Sequence, residues 1–315
     1  MKKFLAIILA LTMILALSAC GKKAEEKVSI VLATGGTSGT YYAVGGVIQT
    51  VLGPKLTKCT ITAESTGASK ANINMITDGE AQMAIVQSDV ASYAFNGTES
   101  FNGTPEKNAL WVCGIYNETV QIICRKGINS VSDLKGKTVV VGDVGSGTEI
   151  NAWQVMGAVG IGKNDINAVN GGFQTGVDML ADGKVDAVFT VAGAPTTSVV
   201  DYATTHELNL VSMTEAEVNK VVSAYPLVRD DLPANTYTGQ TQPVVCAAVQ
   251  AAVVASKDLS EDVVYEFLKG MFDNKAELTA GHAKFGYLTV EGATANTCDM
   301  HPGAIKYYKE IGAIK

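Results

Sequence analysis

From residue 28 onward, short β-branched runs alternate with segments whose apolar positions recur at helical spacing, which predicts an α/β fold. Residues 28–33 read as a strand, 34–40 as a Gly/Ser/Thr turn and 41–52 as a helix. The same order returns later: a strand at 138–141, a glycine-rich turn at 142–147 and a helix at 148–159. A second pair supports the duplication. Residues 76–86 and 180–190 each close a helix on Asp-Gly, where glycine supplies a left-handed cap, and then enter a buried strand. The offsets between these pairs, 108 and 104 residues, are nearly constant and predict two lobes of like topology. The most apolar later stretch, 244–255, is expected to be a core strand, because it is too short to cross a membrane.

Composition narrows the function. The chain has 315 residues, 47% hydrophobic and 17% charged, with 24 basic residues against 31 acidic ones. That is too apolar for a disordered chain. A net charge of −7 argues against nucleic acid as a partner, since phosphate recognition needs a basic face. The length suits about two domains.

The N-terminus reads as an address. Lys2 and Lys3 precede an apolar run over 4–17, too short for a membrane span but suited to a signal peptide. It ends in Leu17-Ser18-Ala19-Cys20-Gly21, which resembles the lipobox of bacterial lipoproteins, with Cys20 acylated as the first mature residue. A plain secretory signal with a chance cysteine is the alternative. Removing 1–19 leaves 296 residues and a net charge of −9. The expected organisation is a signal peptide at 1–19 and a tether at 20–27. Lobe 1 then takes 28–118 plus 246–315, and lobe 2 takes 119–245.

Apart from Cys20, five cysteines remain, Cys59, Cys113, Cys124, Cys246 and Cys298, an odd number that cannot pair completely within the chain. They read as buried thiols, with room for one disulfide of undetermined partners. No Cys-x-x-Cys occurs and the three histidines lie far apart, so no metal is expected.

Ligands of open α/β sheets sit beyond the carboxyl ends of the strands, where loops feed helix N-termini. Two loops fall there. In Gly145-Ser146-Gly147-Thr148-Glu149 small residues admit a ligand, and the first helical N–H groups, the helix dipole and two hydroxyls make a neutral anion site. An ordinary N-cap is the alternative for Ser146. The matching loop carries Thr34, Gly39, Thr40 and Tyr41, with Tyr42 following; at least one tyrosine is expected in the core. Gln87, Ser88 and Asp89 follow a buried strand and offer hydrogen bonds, or a cap for the next helix. Gly193 and Pro195 hold the matching place in the other lobe and would act through backbone or shape. Only Arg125 and Arg229 exist, both placed in polar surroundings, so no arginine clamp is evident.

Enzyme motifs fail. Gly136-Lys137-Thr138 lacks the P-loop glycine at Val131, and Ser146 has no nucleophile elbow around it. No catalytic residue and no cofactor is expected.

Together, Thr34-Gly-Gly-Thr-Ser-Gly-Thr-Tyr-Tyr42, Asp133-Leu-Lys-Gly-Lys137, Gly142-Asp-Val-Gly-Ser-Gly-Thr-Glu149 and His301-Pro-Gly-Ala-Ile-Lys-Tyr-Tyr-Lys-Glu310 resemble the TAXI family. Its members are solute-binding subunits of tripartite ATP-independent periplasmic (TRAP) transporters, and the match spans essentially the whole mature chain. The resemblance implies a bilobal, type II-like periplasmic-binding-protein fold with mixed sheets and crossover strands near 116–122 and 242–248. It implies capture of a small organic anion, such as glutamate or a related carboxylate, for an ion-gradient-driven permease. Carried over, Thr34, Gly39, Thr40, Tyr41, Ser146, Gly147 and Thr148 fall on ligand-binding positions, with Gln87 and Ser88 fitting less securely. The lipobox departs from a freely diffusing form and predicts a monomer lipid-anchored to the outer face of the cytoplasmic membrane. A sensor subunit feeding a histidine kinase, or a secreted serine hydrolase using Ser146, are the rival readings.

Overall fold

The computed structural model describes residues 27–315. The expected leader at 1–19, Cys20 with its lipid, and the tether up to residue 26 lie outside the described residues. The strands are β1 (Val28–Ala33), β2 (Cys59–Glu64), β3 (Met83–Gln87), β4 (Ala109–Cys124), β5 (Thr138–Val140), β6 (Asn167–Val169), β7 (Ala187–Ala192), β8 (Val228–Arg229) and β9 (Ala247–Ser256). The helices before β9 are α1 (Thr40–Val47), α2 (Ser69–Thr77), α3 (Ser88–Asn96), α4 (Gly147–Ala158), α5 (Phe173–Ala181), α6 (Thr197–Thr205) and α7 (Glu215–Ala224). Those after it are α8 (Glu261–Asp273), α9 (Lys275–Gly281), α10 (Val290–Ala293) and α11 (Pro302–Glu310). None of the described helices is long and apolar enough to cross a membrane.

The strands pair in the order β2-β1-β3-β9-β4-β7-β5-β6, with β8 on β9. Pairing is parallel at both ends, β1 with β2 and β3, and β5 with β6 and β7. It is antiparallel wherever β4 or β9 takes part. The sheet is therefore mixed, because the two long strands in its middle, β9 and β4, run against each other and each runs against the outer strand beside it.

Period-2 geometry explains why β3 and β7 read as continuous apolar runs: both faces are covered. Ile30, Leu32, Met83 and Ile85 enter one core, while Ala33, Ala84 and Val86 enter another on the opposite face. In the second lobe Ala187, Phe189 and Val191 face one core and Val188 the other. The two Asp-Gly caps form as expected, with Gly79 at φ 79° and Gly183 at φ 77°. Helices α8 and α11 return to the first lobe, where Phe267 and Tyr308 pack with Ile30 and Leu32.

β4 and β9 join the lobes. β4 pairs with β9 from Ala109 to Thr119 and with β7 from Thr119 to Cys124, so its second partner changes at Thr119. β9 pairs with β8 at Ala247 and Ala248, and with β3 from Ala251 to Ala255. Its passage between lobes thus follows residue 248 rather than preceding it, and Val244, expected in this strand, instead bridges Leu232.

All five cysteines from Cys59 to Cys298 are free and buried, so the disulfide left open by the sequence is not formed. Burial among apolar neighbours pushes the Cys113, Cys124, Cys246 and Cys298 thiols up to about 12, which keeps them uncharged and unreactive.

Candidate functional site

A cleft of about 210 Å³ lies between the lobes beside β4. That is the space of about seven water molecules, which suits a small solute. Four helix N-termini reach it, two from each lobe. Gly39 to Tyr41 bring the start of α1, Ala68 and Ser69 that of α2, Ser146 to Thr148 that of α4, and Gly172 to Thr175 that of α5. The starts of α1, α2 and α5 have no side-chain cap, which leaves their first N–H groups available to a ligand. α4 differs: Ser146 Oγ accepts from the Glu149 amide at 3.1 Å, and Glu149 Oε2 accepts from the Gly145 amide at 2.8 Å. The ordinary N-cap reading of Ser146 therefore holds for its acceptor lone pair, although the residue lines the cleft.

No Lys, Arg or His is among the residues lining this cleft, whereas Glu118 and Asp143 are. Positive potential comes from helix starts alone. Glu118 is 2% exposed, and its Oε1 accepts the Tyr41 hydroxyl at 2.5 Å. Burial pushes its carboxyl up to about 8, opposed by the Tyr41 hydrogen bond and reinforced by the Asp89 charge. Burial also raises Asp143, which stands against Gly172 at the start of α5.

The lobes meet around the cleft. The Thr40 hydroxyl donates to the Gly193 carbonyl at 2.9 Å. Asn151 Nδ2 donates to Asp89 Oδ2 at 2.8 Å, and Gln154 Nε2 to the Tyr93 hydroxyl at 2.8 Å. At Gly147 a Cβ would lie 1.8 Å from Gln87 Oε1, so a side chain there would push the Gln87 amide off the start of α4. Phe173 closes the cleft from the second lobe, 3.4 Å from where a Cβ on Gly39 would be.

Of the expected ligand residues, Gly39, Thr40, Tyr41, Gln87, Ser146, Gly147 and Thr148 are brought together in the cleft lining. Four others are not. The Thr34 hydroxyl, fully buried, donates to the Glu64 carbonyl and secures the β1–β2 corner. Ser88 Oγ accepts from the Gln250 amide at 3.3 Å, holding α3 to β9. Gly193 gives its carbonyl to Thr40, and Pro195, after a cis peptide bond, lines a separate cavity beyond β4. Asp89 is also outside the lining. It accepts from its neighbour's amide, Val90 N, at 2.7 Å and from Asn151. Tyr41 is the core tyrosine of its pair, while Tyr42 is exposed.

Sequence reasoning missed Glu118, Ser69 and Phe173. A lone carboxylate between Tyr116 and Cys124, in a strand otherwise apolar or neutral, was the available signal for Glu118. The other two left none, because they reach the cleft only through the packing of α2 and α5. Among the described residues no cluster of His, Cys, Asp and Glu is gathered to hold a metal ion.

Two α/β lobes sharing two continuous strands, with a cleft between them, define a bilobal periplasmic-binding-protein fold. The chain belongs to the NMT1-like family, whose sequence pattern matches residues 32–312. Its structure is similar to that of an ancestral arginine-binding protein bound to arginine, at 14% identity and a TM-score of 0.52, over 82% of this chain and 98% of that one. It is similar to a binding-protein component of an ABC phosphonate transporter from Pseudomonas aeruginosa, at 13% identity and a TM-score of 0.52, over 84% and 81% of the two chains. The GluR0 ligand-binding core complexed with L-glutamate is a third, at 11% identity and a TM-score of 0.50, over 84% and 100%. Identities this low speak for the fold alone.

Proposed function

We propose that the protein is an extracytoplasmic solute receptor of the TAXI type. It captures a small organic carboxylate, an acidic amino acid or a relative, and hands it to a TRAP permease. The observation that carries this reading is the convergence of four helix N-termini, from both lobes, on one small cleft without a basic side chain. Such a site suits an anion that the backbone alone neutralises. In the cleft, Thr40, Gly147 and Thr148 surround the solute, and Tyr41 and Gln87 bound it.

The mechanism is closure. The ligand bridges helix starts of both lobes, and its greater affinity for the closed arrangement shifts the population toward it. Bending falls on β4 near Thr119 and on β9 after Ala248, where their partners change. The two lobes, dividing near Thr119 on β4 and after Ala248 on β9 rather than at 245/246, then move as units. Acylated Cys20 holds a monomeric receptor near its permease. The TAXI assignment is supported by the glycine-rich loops at 34–42 and 142–149, which contribute 35–41, Asp143 and 146–148 to the lining, and by the 301–310 motif. In that motif His301 Nδ1 accepts from the Gly303 amide and starts α11.

The test is thermal unfolding with a panel of amino acids and dicarboxylates at millimolar concentration. A ligand bound only by the folded state raises the midpoint. No shift across the panel would remove the carboxylate reading.

A further inference from the structure

The cleft offers donors at its helix starts, but at β4 it offers acceptors. Glu118 and Gln87 are each 2% exposed and face the same cavity. Gln87 Oε1 is buried without any hydrogen-bond donor. Glu118 receives one well-formed hydrogen bond, from the Tyr41 hydroxyl. The Gln87 amide approaches the carboxyl closely enough to favour its charge, without good hydrogen-bond geometry. Among the described residues no cation forms an ion pair with Glu118. Lys284 stands in the adjoining cavity, its Nζ 5.9 Å from the Tyr116 ring centroid. A buried carboxyl without a cation stays neutral because its charged form is costly there, and a buried amide oxygen without a donor is costly as it stands. One bound group relieves both: an ammonium, which carries a charge and three donors.

Granted the carboxylate site proposed above, we propose that Glu118 and Gln87 form an ammonium subsite. The cleft then selects a carboxylate that also carries an ammonium over the same skeleton with a keto group. Glu118 is the specificity-determining residue of this subsite, and Gln87 Oε1 takes a second N–H.

The exchange is balanced by a proton. Below about pH 8 burial favours the neutral Glu118 carboxyl in the ligand-free cleft, and on binding its proton leaves to solvent as the ammonium takes its place. The groups facing Glu118 do not mask this exchange. Tyr41 from α1 and Tyr116 from β4 itself are held neutral by burial. Asp89 from α3 opposes ionisation of Glu118, and Lys284 from the turn Ala283–Tyr287 favours it.

Calorimetric titration tests the proposal with matched pairs: L-glutamate against 2-oxoglutarate, L-alanine against pyruvate, and L-leucine against 4-methyl-2-oxopentanoate. The expected result is that the wild type binds at least one amino acid about tenfold or more tighter than its 2-oxo partner, consistent with a charged hydrogen-bonded pair. Affinity for the amino acid tightens between pH 6 and 8 by up to about tenfold per unit, as the ionised fraction of Glu118 grows. Glu118→Gln loses both the preference and the slope but still binds the 2-oxo acid, and Gln87→Leu reduces the preference alone. Cooperative melting of each variant checks that it folds. Retention of preference and slope in Glu118→Gln, or a wild type that favours the 2-oxo acids, overturns the subsite while leaving the carboxylate reading intact. A wild type that binds none of the six but does bind an amine-free dicarboxylate of the thermal panel overturns the subsite, and one that binds nothing in either set overturns both.

Discussion

The Gln87 side chain of the first lobe rests on Gly147 of the second, so closely that a Cβ at residue 147 would stand 1.8 Å from Gln87 Oε1. A side chain at residue 147 would have to displace the Gln87 amide, so the seating of the two lobes here favours glycine. The contact explains the glycine between Ser146 and Thr148 in physical terms: the α4 start must admit a side chain from the other lobe.

Gly147→Val therefore holds the lobes apart without disturbing either core. The expected outcome is a cooperative melt close to that of the wild type, with ligand-induced stabilisation lost. Trimming the opposing side chain in a Gly147→Ala/Gln87→Ala pair restores compaction that Gly147→Ala alone prevents, as small-angle scattering would show. A Gly147→Val protein with an unchanged ligand response would mean that the lobes need not meet here.

Asp89 and Asn151 tie the lobes beside the cleft. Asp89 is fully buried and pushed up to about 6 by that burial, with Asn151 Nδ2 as its side-chain donor. Removing the donor leaves a buried carboxyl short of a partner, which costs about 1–3 kcal/mol. Asn151→Ala is expected to lower the urea midpoint accordingly, and Asn151→Asp to lower it further by placing two carboxyls together. A neutral Asn151→Ala would show that the tie is broken in the ligand-free protein already.

The pH dependence of stability has a defined sign. Glu118 ionises near 4.5 when unfolded but only at about 8 when folded, so folding takes up a proton between those values. The stability it contributes is complete below about 4.5 and is lost as pH rises through about 8, on the order of a few kcal/mol. Asp89 acts in the same sense between 3.8 and about 6. His282 and His301, both lowered by burial, act oppositely, losing their contribution as pH falls below 6.5. Comparing wild type with Glu118→Gln isolates the first effect. The difference in unfolding midpoint should grow in favour of the variant from pH 5 to pH 8, and a difference independent of pH would show that Glu118 is ionised in both states.

The five described cysteines should be silent to a thiol reagent in the native protein and react together only on unfolding. Reduction should leave the melting curve of a protein lacking Cys20 unchanged. Fast labelling of any one thiol would mark a local opening around it.

Much of this architecture was legible because local pattern and tertiary role agree. Val28–Ala33 is a strand in sequence and in space because, from Ile30 on, Ile30 and Leu32 are buried on one face and Ala33 on the other. The Asp-Gly caps at 78–79 and 182–183 mark the duplicated entry into β3 and β7. Legibility failed where the role of a side chain depends on which way the chain turns next. Thr34 and Ser88 lie at carboxyl ends of strands, as ligand residues do, yet their hydroxyls meet Glu64 and Gln250 backbone instead of the cleft. Glu118 was passed over for the opposite reason. Its place in a hinge strand gives no motif, and only the approach of α1 with Tyr41 turns it into part of a site.

The central claim is closure of the two lobes on a small carboxylate, and small-angle X-ray scattering of the receptor with and without the ligand found in the thermal panel tests it most directly. A smaller radius of gyration is expected once ligand saturates the protein, with a scattering curve that fits an arrangement keeping the Thr40–Gly193 and Asn151–Asp89 contacts between the lobes. Saturable binding with the two curves superimposed would contradict it.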